Sequence, residues 1–131
     1  MRHVVCIGIV LALLPASAFA APQSIDGVWR GTSLCQVKSS PCRDESAAFY
    51  VSHTGETYHL DMRKVVDGQE QDIGTVDGRY DANDGILTWA TYDRQKHPST
   101  WTFTVKDSHM SGRVVTSDGV LYRLIELDRA Q

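Results

Sequence analysis

The side chains best suited to chemistry here are histidines, paired carboxylates and cysteines, and the first question is whether their spacing assembles any of them. Of five histidines, His3 lies in an N-terminal apolar segment, and His53, His59, His97 and His109 are scattered through the rest. His53 and His59 flank Thr54-Gly55 and could approach across a hairpin. A zinc site needs three or four ligands, and no third stands at ligand spacing, so no metal is expected. Asp44-Glu45, and Asp81 with Asp84, could offer paired carboxylates. Acid–base catalysis requires such groups in unlike environments at fixed separation, whereas acidic residues beside turns ordinarily cap or stay solvated. The sequence contains no Gly-x-Ser-x-Gly, so a nucleophile elbow is unsupported. These residues point away from an enzyme and imply no cofactor.

The cysteines are informative through their context. Arg2 and His3 precede an apolar run from Val4 to Leu14, followed by Pro15 and then Ala18-Phe19-Ala20. That run is too short to span a bilayer, and small residues at Ala18 and Ala20 suit a signal peptidase. Residues 1–20 therefore read as a signal peptide, and Cys6 leaves with it. The expected location is secreted, periplasmic or extracellular, with no membrane span after processing. Cys35 and Cys42 remain in a chain bound for an oxidising compartment, where a disulfide stapling the Lys38-Ser39-Ser40-Pro41 turn is expected. Cys-x6-Cys is neither a metal-ligand nor a redox-motif spacing.

Residues 21–131 suffice for one domain with one core and are too few for two. The whole chain carries 13 Lys+Arg against 16 Asp+Glu, a net charge of −3, and Arg2 is the only charged residue in the leader. Affinity for nucleic acid needs a concentrated basic face, which such a balance does not supply.

No stretch of ten or more residues shows helical spacing of apolar side chains. Strand patterning dominates. Tyr58, Leu60 and Met62 alternate with His59, Asp61 and Arg63, and Trp101, Phe103 and Val105 alternate with threonines at 100, 102 and 104. Turn signals at Thr54-Gly55, Asp67-Gly68, Asn83-Asp84-Gly85, Asp107-Ser108 and Asp118-Gly119 separate candidate strands near 28–36, 47–53, 57–66, 72–80, 86–92, 99–106, 109–116 and 120–127. Short links favour neighbouring antiparallel pairs. The expected fold is all-β, an eight-stranded antiparallel meander. Closure into a barrel would remove both unpaired edges, with a two-sheet sandwich as the alternative. In the fourth strand Ile73 and Val76 point to opposite faces unless Gly74 marks a bulge.

Gly27-Val28-Trp29 in the first strand and Tyr122-Arg123-Leu124 in the last resemble the lipocalin and calycin arrangement. That resemblance implies an eight-stranded barrel, with Arg123 packed over the Trp29 indole. The wider run through Cys35, Pro41-Cys42-Arg43-Asp44-Glu45 and Asp118 to Arg123 also resembles short exported bacterial proteins of unassigned function. The chain is shorter than typical lipocalins and lacks an obvious C-terminal helix, departures that argue against a roomy cavity. Tyr58, Met62, Trp101 and Phe103 are the candidates to line a ligand site. The leading expectation is a non-enzymatic binding module for a small apolar or amphipathic ligand in the barrel mouth. The runner-up is a protein-interaction module, such as an inhibitor of a secreted hydrolase.

Overall fold

The computed structural model describes residues 15–17 and 24–131. The expected signal peptide over 1–20, apart from 15–17, and residues 21–23 lie outside the described residues. The rest forms eight strands: β1 (Gly27–Cys35), β2 (Glu45–Thr54), β3 (Thr57–Val66), β4 (Gln69–Asp81), β5 (Ile86–Tyr92), β6 (Pro98–Lys106), β7 (His109–Val115) and β8 (Leu121–Arg129). Each pairs antiparallel with its neighbour, and β1 pairs with β8, so the sheet closes into a barrel rather than a sandwich.

Period-2 alternation drives this closure, because every strand can turn one row of apolar side chains inward. Trp29 from β1, Phe49 and Val51 from β2, Leu60 and Met62 from β3, Leu87 and Trp89 from β5 and Phe103 from β6 are all buried. Met110 and Val114 from β7 join Ile125 and Leu127 from β8 in the same cluster. Aromatic rings fill the middle: Trp89 stacks on Phe103 at 5.1 Å and on Trp101 at 5.4 Å, and Phe49 meets Phe103 edge-on at 6.0 Å. On β6, Phe103 is fully buried, Trp101 and Val105 are half-buried, and Thr100 and Thr104 are exposed. Thr102 departs from the expected pattern by being half-buried.

One end of the barrel is closed around Trp29. Ile25, just ahead of β1, is buried and its carbonyl accepts the Trp29 indole N–H at 2.9 Å. The cation over the indole is Arg129, with its guanidinium carbon 4.4 Å from the ring centroid. The expected Arg123 contact does not form. Antiparallel register explains the difference: Trp29 stands opposite Arg129, whereas Arg123 stands opposite Cys35, six residues further along β1. At the rise of an extended strand that is about 20 Å.

Arg123 instead secures the other end. Its guanidinium donates to the Ser33 hydroxyl at 3.1 Å and to the Arg43 carbonyl at 3.0 Å, with Glu45 at 3.7 Å. Beside it, Cys35 and Cys42 form the expected disulfide, with their Cα atoms 5.8 Å apart. The Asp44 carboxylate accepts the Cys35 amide at 2.8 Å. The loop between β1 and β2 is thus tied to the last strand by one arginine.

Two irregularities fall on β4. The β3–β4 register shifts where Met62 pairs with Gly74 and Arg63 with Asp72, leaving Ile73 as an extra residue. Gly74, at φ +135°, makes the bulge feasible, since L side chains rarely adopt that conformation. Ile73 is not returned to the core and stays exposed. The second irregularity is the shortness of the β4–β5 ladder, which consists of Arg79–Thr88, Tyr80–Leu87 and Asp81–Ile86. β4 is 13 residues long, so most of it has no β5 partner.

Candidate functional site

The turns that link β2 to β3 and β4 to β5 rise on either side of a cleft of about 680 Å³ at the barrel mouth. The β4–β5 turn is rigidly specified. The Asp81 carboxylate accepts the amides of Asn83 at 2.9 Å and Asp84 at 3.3 Å, an arrangement that fixes a turn locally. Gly85 follows at φ +69°, where a Cβ would stand 2.7 Å from the Val105 carbonyl, so glycine is required by both space and conformation.

Two tyrosines project to this cleft from the inner rows of β3 and β4. Tyr58 and Tyr80 pack edge-to-face with centroids 5.5 Å apart. Burial pushes the Tyr80 hydroxyl above the usual phenol range, and neighbouring Tyr58 and Asp81 add to the shift. Glu56, Asp81 and Asp84 bring three carboxylates to the lining, against the single cation of Arg79. The result is an aromatic floor with an acidic rim, suited to an amphipathic group with a positive end.

The four sequence-derived ligand candidates separate. Tyr58 lines the cleft. Met62 and Phe103 are buried in the packed interior, and half-buried Trp101 stacks on Trp89 while its indole N–H donates to Thr91 Oγ1 at 2.9 Å. Phe49 brings Trp101 and Phe103 together within that interior and pairs across strands with Met62. Tyr80, Arg79 and Glu56 were missed. Tyr80 carried a signal, since it lies an even number of residues after Val76 on the same strand face.

The histidines do not converge. His53 pairs with Tyr58 across β2–β3 and His59 with Ser52, which sends the two imidazoles to opposite faces. Each of the four described histidines has its own carboxylate: His53 with Asp26, His59 with Asp77, His97 with Asp93, and His109 with Asp128 and Glu126. Hydrogen bonding to Asp128 first, and Glu126 second, raises the His109 pKa above its ordinary value. Among the described residues no group of three or more His, Cys, Asp or Glu is placed to hold a metal ion.

A second charged cluster covers the outside of β1–β4. Arg30, Ala48 and Arg63 form one cross-strand row, and Glu70 reaches Arg30 at 2.6 Å and Arg63 at 3.2 Å. Tyr50 donates to Glu70 at 2.8 Å and lies under the Arg63 guanidinium at 4.7 Å. Ala48, outward-facing, is 0% exposed beneath this cluster. The Glu70 carboxyl is held below its usual range by the Tyr50 hydroxyl and Arg30, and that of Asp61 by Arg63, 2.7 Å away. Every charge here has an opposite partner, so the cluster holds strands together rather than presenting a free group.

No protein-family model matches the chain, and no curated protein matches it either. The fold and the cleft therefore carry the functional argument alone.

Proposed function

We propose that this chain is a secreted, non-enzymatic binding module of calycin type that takes a small amphipathic ligand with a cationic end at the barrel mouth. The mouth cleft carries this reading: Tyr58 and Tyr80 supply apolar area, while Glu56, Asp81 and Asp84 outweigh Arg79 at the rim. The packed aromatic interior favours the mouth over the barrel centre as the place for such a ligand. The calycin assignment draws support from Gly27-Val28-Trp29 and from a last-strand arginine over the indole, and export from the N-terminal pattern and the disulfide.

Calorimetric titration with an alkylammonium and an alkylcarboxylate of equal chain length tests the proposal. The ammonium should bind more tightly, and Tyr58→Ala or Tyr80→Ala should weaken it. Equal affinity for the two, or no uptake of either, would overturn it. A second reading, the protein-interaction module, is favoured by one observation, the short ladder between β4 and β5.

A further inference from the structure

The seam between β4 and β5 is the one place where neighbouring strands of this barrel lie side by side in order yet share only three residue pairs. The two strands are close at Gly78, where a Cβ would stand 3.2 Å from the Thr88 carbonyl. The ladder of paired residues ends there. A Cβ built on Gly74 meets nothing within 4 Å. From Gly78 back to Gln69, β4 has no β5 partner, and Trp89 to Tyr92 on β5 have no β4 partner. Backbone N–H and C=O groups along such edges form a template for another extended chain.

The side chains around the seam define what that chain would carry. Along β4, Asp72, Thr75 and Asp77 are exposed, Asp72 accepting the Gly74 amide at 2.8 Å and Asp77 pairing with His59 at 2.7 Å through one oxygen each, and Ile73 in the bulge is 43% exposed. Across the seam, Tyr92 is 66% exposed. Val76 on β4 and Trp89 on β5 face inward to the core cluster. Trp89 is the first β5 residue past the ladder, and its buried indole N–H has no hydrogen-bond partner among the described residues. An added strand would therefore see an apolar interior on one face and, on the other, carboxylates flanked by exposed apolar groups.

We propose that the unpaired edge of β4 from Gln69 to Asp77 binds an extended segment of a partner protein, in which apolar and basic residues alternate. The inference rests on the protein-interaction reading. Main-chain hydrogen bonds would supply affinity. The alternating side chains would give selectivity, apolar ones covering Val76 and the space beside Gly74, basic ones meeting Asp72 and Asp77. Charge complementarity selects this occupant over a second copy of the chain, whose own β4 would set Asp72 and Asp77 against like charges.

Short peptides alternating valine with lysine, valine with glutamate, and valine with lysine but interrupted by proline provide the probes, with amide hydrogen exchange on the whole protein as readout. The valine–lysine peptide should slow exchange between residues 69 and 77, the valine–glutamate peptide should do so much less, and the proline peptide should not. Reversing charge with Asp72→Lys and Asp77→Lys should weaken the valine–lysine peptide by about tenfold, as expected for two exposed ion pairs. The milder Asp72→Asn and Asp77→Asn pair should give an intermediate loss and guards against misfolding. Protection elsewhere, no protection with any peptide, or affinity indifferent to the charge reversal would overturn the proposal. So would concentration-dependent dimerisation that protects the same amides without peptide. None of those results would alter alkylammonium binding at the mouth, so the two readings fail separately.

Discussion

Arg129 and Trp29 face each other across the β1–β8 pairing, and the guanidinium caps the indole while donating to the Asp26 carbonyl at 2.7 Å and the Ser24 carbonyl at 2.6 Å. One side chain thus covers the buried aromatic end and ties down the lead-in segment that holds Ile25. An ammonium keeps the charge but loses the planar stacking and the fork of donors. Arg129→Lys should lower unfolding stability by about 0.5–2 kcal/mol, the range for such a contact. A urea unfolding midpoint unchanged from the parent would contradict that role.

Gly112 on β7 faces the Phe103 ring, and a Cβ there would overlap the ring atoms. Gly112→Ala should therefore destabilise by about 1–3 kcal/mol through overpacking, despite the better strand propensity of alanine. Combining it with Phe103→Leu should recover part of the loss; simple additivity in thermal unfolding would rule out the steric explanation.

Phe103 is fully enclosed, whereas Trp101 is only half-buried. Truncation at Phe103 should cost about 3–5 kcal/mol, and Trp101→Ala less, despite the larger ring. The reverse order in chemical denaturation would mean that the interior is not packed as described.

Removal of the disulfide by paired Cys35→Ser and Cys42→Ser should cost about 2–3 kcal/mol on the chain-entropy account. Arg123 and Asp44 also hold this loop, so its exchange rates should rise only modestly, and Arg123→Ala in the same background should raise them sharply. Equal exchange in the two backgrounds would show that Arg123 does not anchor the loop.

His109 gains stabilisation when protonated, because Asp128 and Glu126 flank both ring nitrogens. Its folded pKa is raised, so this contribution is complete below the unfolded value of about 6.5 and disappears as pH rises through the folded value. With the imidazole about half exposed, the effect should stay below about 1 kcal/mol. His109→Gln should lose stability relative to the parent at pH 5.5 and match it at pH 9. NMR titration of the His109 ring should give a midpoint above the free-histidine value.

The strand plan was legible because Tyr58, Leu60, Met62 and Trp101, Phe103, Val105 display period-2 patterns that survive in any register. Turn residues did the rest: Asn83-Asp84-Gly85 and Asp107-Ser108 lie where the chain reverses. What depends on pairing register was not legible in the same way. Trp29 begins the first strand and antiparallel closure must bring it to the end of the last, so Arg129 was discoverable from direction alone; the local Tyr122-Arg123-Leu124 pattern hid it. The Arg30, Tyr50, Arg63 and Glu70 cluster forms only because four strands align in one specific way. The mouth cleft was half visible, since Tyr58 follows from alternation, whereas its union with Tyr80 and the Asp81 turn is a three-dimensional fact.

Seven of the eight strand pairings join neighbours in sequence, and the eighth joins the first strand to the last. A nascent chain emerging amino-end first can assemble its hairpins one after another, yet Trp29 stays uncovered until Arg129 has been delivered. Asp26 and Arg129, which bond at that junction, are 103 residues apart. Bringing such distant ends together carries a chain-entropy cost of about 4 kcal/mol, which should make ring closure the slow, final step of folding. Loss of the last few residues would leave the earlier hairpins able to form and the indole open to water, turning a closed ring into an open ribbon with two sticky sides.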